Sequence, residues 1–339
     1  IGSGDLAAVG MISKAVKVAV YGAAGESAGL IVDELLASTT PCFEVTALVR
    51  PSSISKPAYT KLAQRGVEIV AIDLEGPEVD AARVLEGQDI VIASLPPNAL
   101  DSQLPLIQAS KLANIRRLIP TAFAMALDPK DISSVQSMRE KIYKELESWE
   151  IPYTIIDVGW WYNGFISEVP SGKTDHAIAL PDFLRNLVPG DGTMKTYVID
   201  NEDVGRFVAR IIVDSRTVNK RVMAAGASMS FNEMFAIAEK LTGDTVTRKH
   251  VSAEELKSMI VGAASQLQSD SNNYFLLVGK LWLEYYYSSF IDGYNSPEGV
   301  KRLGYIVAGD LYPDFKPTTF RDFFQETLDG KRRIPYSTR

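Results

Sequence analysis

Short, unbroken apolar runs recur along the first 155 residues, at 16–21, 45–49, 67–72, 90–93, 118–119 and 153–158. Between them apolar residues fall three and four apart, as in Leu104-Pro105-Leu106-Ile107-Gln108-Ala109-Ser110-Lys111-Leu112. A strand buried on both faces reads as a continuous apolar run, and an amphipathic helix repeats every 3.6 residues. The pattern predicts an α/β chain in which helices cover both faces of a doubly wound parallel sheet. Ligands of such sheets lie beyond the carboxyl ends of the strands, so the residues after each strand are the ones to inspect.

Beyond Gly164 the pattern changes. Residues 168–195 are rich in Pro, Gly and Asp and predict a long irregular excursion. Order returns with a strand at 196–200, a helix at 203–213 and a strand at 221–226, and a helix then starts at Ser230, whose Glu233 completes a capping-box pattern. From about 245 to 330 the chain reads as mostly helical, and its Tyr285-Tyr286-Tyr287 and Phe290 cluster is assigned to a second core. The expected division is residues 11–160 plus 196–228 for nucleotide binding and 161–195 plus 229–330 for a smaller, mostly helical substrate domain. Residues 1–10 read as an expression scar ahead of Met11, and 331–339 as a tail.

Net charge is −7 and charged residues make up 23% of the chain, a poor match to nucleic acid or an anionic membrane. No apolar run approaches the roughly 20 residues a membrane span needs, and neither partner is expected. A single cysteine, Cys42, fits a reducing, cytoplasmic setting. With only His176 and His250 besides, no metal site is expected.

The first strand runs directly into Gly22-Ala23-Ala24-Gly25-Glu26-Ser27-Ala28 and then a helical pattern. A strand feeding a helix through Gly-x-x-Gly-x-x-Ala leaves the helix N-terminal amides open to a pyrophosphate. Gly22 permits the tight turn, Gly25 a close approach of phosphate and Ala28 tight helix–strand packing; Ala24, Glu26 and Ser27 complete the loop. The second strand ends in Arg50, with Lys56 six residues on. An acid at that place suits a free ribose 2′-hydroxyl and an arginine a 2′-phosphate, so the expected cofactor is NADP(H) rather than NAD(H).

Several segments together resemble the NmrA-like family, in its isoflavone-reductase-like branch of atypical short-chain dehydrogenases. They are Gly22-Ala23-Ala24-Gly25, Leu48-Val49-Arg50, the run from Arg116 to Phe123, Ile151-Pro152-Tyr153-Thr154, Asp203-Val204-Gly205, the run from Asp214 to Lys220, and Leu311-Tyr312-Pro313-Asp314. The resemblance implies a Rossmann domain, NADP(H), and reduction of conjugated or benzylic positions in phenolic substrates. It also implies an alternative, since some relatives bind dinucleotide as redox-sensing regulators. By the same resemblance a lysine lies twelve residues before Ile-Pro-Tyr-Thr, where this chain has Arg139. Arg139 borders the apolar stripe Met138, Ile142, Leu146 and Trp149, whereas Lys141 points away. A permanently charged arginine orients an oxyanion but is a poor proton shuttle. The one Tyr-x-x-x-Lys, Tyr312 to Lys316, is interrupted by Pro313 and is set aside.

The remaining candidates follow the strand ends. Ser94, Leu95 and Pro96 follow the fourth strand and Thr121 and Phe123 the fifth; both groups are expected at the nicotinamide side. The sixth ends in Asp157-Val158-Gly159-Trp160-Trp161-Tyr162-Asn163-Gly164-Phe165. Gly159 and Trp161 are assigned to the cofactor, and Trp160, Trp161, Tyr162 and Phe165 to walls for a flat aromatic substrate. An alternative puts Trp160 and Tyr162 in the core. Tyr162 is the candidate acid and Asp157 a structural hydrogen-bonding group. His176 lies in the excursion, either over the substrate or on the surface. The sequence thus reads as an NADPH-dependent reductase, with a sensor or a repurposed non-redox enzyme, a dehydratase or cyclase, as the alternatives.

Overall fold

The computed structural model describes residues 14–130 and 132–335. The expected scar at 1–10 lies outside the described residues. The chain begins β1 (Val16–Tyr21), α1 (Glu26–Ala37), β2 (Phe43–Val49), α2 (Pro57–Gln64), β3 (Glu68–Ala71), α3 (Glu78–Leu85), β4 (Ile90–Ala93), α4 (Leu104–Leu112) and β5 (Arg117–Ile119). These strands form a parallel sheet in the order β3-β2-β1-β4-β5. Its order reverses between β1 and β4, the switch point at which a Rossmann sheet opens its ligand crevice. Val18, Val20, Ile90 and Ile92 on the strands are sealed beneath Ile31, Val32 and Leu35 of α1.

The chain continues through α5 (Ser134–Ser148), β6 (Thr154–Asp157), β7 (Trp160–Trp161), β8 (Leu187–Pro189), β9 (Thr196–Ile199), α6 (Asn201–Ile211), β10 (Lys220–Met223) and β11 (Ala227–Met229). A parallel bridge from Leu118 to Tyr153 and a 2.8 Å bond from Leu118 N to Pro152 O carry the sheet from β5 to β6. Strand β10 then pairs in parallel with β6.

Helices dominate the rest: α7 (Phe231–Thr242), strand β12 (Lys249–Val251), α8 (Ala253–Ser269), α9 (Tyr274–Tyr286), α10 (Pro297–Arg302), strand β13 (Ile306–Val307), α11 (Ala308–Leu311) and α12 (Phe320–Leu328). The capping box at the start of α7 forms: Ser230 and Glu233 each receive the other's backbone N–H. Phe165, Phe231, Tyr286, Phe290, Phe320 and Phe323 belong to a second apolar core.

The expected domain boundary needs one correction. Strand β13 pairs in parallel with β10, and Phe315 stacks on Phe207 of α6 at 4.0 Å. Residues 306–315 therefore return to the first domain, although 229–330 was assigned whole to the second. A two-residue strand carries too little period to be seen in sequence.

Candidate cofactor and substrate site

At the switch point, Gly22 adopts φ +89°, and a Cβ there would stand 2.2 Å from the Ser94 carbonyl oxygen. The loops after β1 and β4 therefore meet at a position that only glycine fills. Gly25 N donates to Gly22 O at 2.8 Å, and Gly25 caps α1 without any side-chain bond. The first-turn amides of Glu26, Ser27 and Ala28 thus face the loop with the positive end of the helix dipole behind them. Ala28 is sealed against the sheet, whereas Ala24 and Gly25 are exposed.

Beside this cradle, Arg50 leaves the end of β2 into solvent. Ser53 N donates to Arg50 O at 2.8 Å and Lys56 N to Ser53 O at 3.1 Å, folding both bases into one compact turn. Burial pushes the Tyr21 and Tyr59 hydroxyls up, and the nearby Arg50 charge pulls each back in part.

The loops after β1, β4 and β5 are tied together in series. Ser94 N donates to Tyr21 O (2.9 Å), Leu95 N to Thr121 Oγ1 (3.2 Å), and Thr121 N to the buried Gln103 Oε1 (3.0 Å). Phe123 sits at φ +46°, a strained conformation for a bulky residue, with its N–H on Ile156 O at 2.8 Å. The Ala124 carbonyl accepts from both Val158 N and Gly159 N. Gly159 is required for another reason as well: at φ +72° its Cβ would fall 2.4 Å from the Tyr197 carbonyl oxygen, so β7 and β9 close over it. Trp161 is half-buried against the first core, and Pro96 opens the turn after β4.

Arg139 does turn inward, but not toward the crevice. Its Nη2 donates to Asp157 Oδ1 at 2.5 Å, its Nε to the Tyr143 hydroxyl at 2.9 Å and its Nη1 to Met125 O at 3.1 Å. Asp157 also accepts from the Tyr305 hydroxyl at 2.6 Å. Burial by itself would lower the guanidinium pKa; Asp157, with Tyr143 and Tyr305, reverses that and holds it well above its ordinary value. Burial likewise pushes Tyr143 up to about 12, with Arg139 pulling the other way. The expected oxyanion-orienting role is corrected: at 2% exposure, with all three nitrogens engaged, Arg139 is an internal tie.

Tyr162 is also corrected. It is fully buried, its hydroxyl donates to Thr318 O at 3.1 Å, and its ring packs on Phe320 and Phe323. Burial, reinforced by Asp200 and Asp203, raises its pKa above the ordinary tyrosine value. Trp160 and Phe165 lie in the second core, the indole N–H of Trp160 donating to Ser289 Oγ at 3.0 Å. The alternative reading of Trp160 and Tyr162 as core residues is the one the structure follows. His176 is exposed and shares a 3.0 Å bond with Thr327 O of α12, on the surface rather than over a substrate. Among the described residues no group of three or more His, Cys, Asp or Glu is placed to hold a metal, and no helix is long and apolar enough to cross a membrane.

Residues 14–324 match the NmrA-like family. The chain belongs to that family. It is 35% identical, over 94% of its length and 97% of the relative's, to asnovolin J 5′,6′-dehydrogenase of Aspergillus novofumigatus. It is 27% identical to a phenylcoumaran benzylic ether reductase of Nicotiana tabacum, over 91% of its length and 97% of the relative's. The fold matches the NADPH complex of leucoanthocyanidin reductase from Vitis vinifera with a TM-score of 0.74 at 21% identity, covering 92% of this chain and 99% of that one.

The strand-end geometry fits a dinucleotide: the first-turn amides of α1 carry no side-chain cap, and Arg50 and Lys56 are exposed after the neighbouring strand. Three contributors escaped sequence reasoning. Gln103 holds Thr121 from an unremarkable turn. Tyr305 supports Asp157 from a position 148 residues away. Glu26 pairs with Arg333, a residue assigned to a featureless tail. Only the first had a signal, a glutamine just before an apolar helix.

Proposed function

We propose that the protein is an NADP(H)-dependent oxidoreductase acting on a flat, aromatic small molecule. The observation that carries this is the Gly22 cradle against Ser94 at the switch point, with Arg50 beside it. The first-turn amides of α1 hold the pyrophosphate, and Arg50 and Lys56 meet the 2′-phosphate. Ser94, Leu95 and Pro96 with Thr121 and Phe123 flank the nicotinamide ribose, and Trp161 supplies an aromatic wall. When bound, the cofactor supplies or accepts a hydride. The chain's own part is to orient the ring and shut out water, and Arg139 positions the floor by fixing Asp157 and the Met125 carbonyl.

Relatives are named both as a dehydrogenase and as reductases, so both redox directions belong in the test. Fluorescence titration with NADPH, NADP⁺ and NADH is expected to give NADPH binding tighter than NADH by more than about tenfold, roughly 1.4 kcal/mol. Aromatic enones, benzylic ethers and the corresponding alcohols are then screened by cofactor absorbance. Failure to bind any dinucleotide refutes the proposal and leaves a non-redox enzyme on the same fold.

A second reading, an NADP(H)-sensing regulator, is favoured by the internal engagement of Arg139, which takes the expected charge out of the crevice. It requires unequal affinity for NADPH and NADP⁺ with no turnover of any substrate in that screen.

A further inference from the structure

The residue after the second glycine of the cradle is an acid. Glu26 opens α1, where its own charge suits the helix dipole but opposes an incoming bisphosphate. Its side chain is 6% exposed and is paired with the Arg333 guanidinium. The approach of Arg333 is fixed by its neighbour. Arg332 binds Asp200 at 2.8 Å, Glu202 at 2.9 Å and Glu326 at 2.7 Å, and lies over the Phe323 ring. Asp200 caps α6, and α6 lies hard against α1: a Cβ on Gly205 would stand 2.3 Å from Leu30 O. Arg332 therefore anchors the segment after α12 across the N-terminus of α6, and the next residue reaches the N-terminus of α1.

From this geometry we infer that Arg333 is a cofactor-affinity residue, supplied by the C-terminal segment, which offsets Glu26 at the pyrophosphate subsite. The inference rests on the dinucleotide reading of the cradle. Removing Arg333 leaves the Glu26 carboxylate unbalanced beside two phosphate charges, whereas removing Glu26 leaves an arginine facing them.

The test is an NADPH fluorescence titration of the full chain as wild type, Arg333→Gln, Arg333→Lys, Glu26→Gln and the Glu26→Gln/Arg333→Gln double variant, with thermal unfolding of each. Arg333→Gln is expected to raise Kd about tenfold or more, by loss of a charge-assisted contact. Arg333→Lys should stay near wild type. Glu26→Gln should tighten binding several-fold, and the double variant should recover most of the loss. The penalty should shrink as salt rises. Wild-type binding with Arg333→Gln within twofold of it, or Glu26→Gln no tighter than wild type, overturns the role of Arg333 and leaves the cofactor reading intact. Wild type that binds neither NADPH nor NADP⁺ overturns both.

Discussion

Truncating Arg139 to alanine should destabilise the fold more than it affects cofactor affinity. The substitution removes three hydrogen bonds and leaves Asp157, whose side chain is 0% exposed, with only the Tyr305 hydroxyl. Breaking one partner of a buried ion pair costs about 3–5 kcal/mol, because the surviving charge stays desolvated. With an unfolding entropy of about 2.1 cal/mol/K per residue, 339 residues give about 0.7 kcal/mol/K, so each kcal/mol moves the midpoint by about 1.4 °C. The expected loss is about 4–7 °C by calorimetry. Arg139→Lys keeps the charge but not the three-way fork and should fall between the two. The Arg139→Met/Asp157→Asn double variant should recover part of the loss, since it removes the stranded charge. A midpoint for Arg139→Ala within about 1 °C of wild type, by the same conversion, would refute the internal tie. Intact stability with turnover abolished would restore the catalytic assignment.

Three further outcomes follow from the same geometry. Gly22→Ala should abolish dinucleotide binding, and the clash with the Ser94 carbonyl together with φ +89° should cost at least about 2 kcal/mol of stability, read by titration and denaturant melts. Arg50→Ala should weaken NADPH by about tenfold, roughly 1.4 kcal/mol, while leaving NADH almost unchanged; equal losses would contradict a 2′-phosphate contact. Burial raises the Asp200 carboxyl from 3.8 to about 6, with Arg332 pulling the other way. A raised carboxyl contributes stability in its protonated form, present below pH 3.8 and lost as pH rises through about 6. Asp200→Asn should therefore gain on wild type between pH 4 and pH 7, as roughly that window requires; a constant difference across it would show that Asp200 does not titrate there.

Much of the fold was legible because its strands are buried on both faces. Unbroken apolar runs marked β1, β2, β4 and β6 within a residue or two, and Leu104–Leu112 is a helix over the expected span. The glycine loop was equally readable, since Gly22 answers a backbone need that no other residue meets. Side-chain direction was the harder problem. The helical wheel put Arg139 inward correctly, but inward has two meanings here, crevice and core, and periodicity does not separate them. A clue was present in Asp157, a lone acid ending an apolar strand, because a buried arginine requires a buried partner. The Trp160 to Phe165 run misled for a related reason: Phe165 packs in a second core against Phe231 and Phe290, more than 60 positions away, which one-dimensional patterning does not reveal. Arg333 was invisible because its role depends on where α12 ends in space.

The two-residue strand β13 has a consequence for synthesis of the chain. It closes the far edge of the main sheet against β10, about 80 residues upstream. Until the ribosome has delivered residue 307, β10 presents an unpaired edge, and the first core lacks Ala308, Tyr312 and Phe315. A nascent chain halted before β13 is therefore an open sheet with a sticky margin, the kind of species that chaperones hold. Stop codons or frameshifts anywhere before that point should yield insoluble product, even though every residue of the glycine cradle has already been translated.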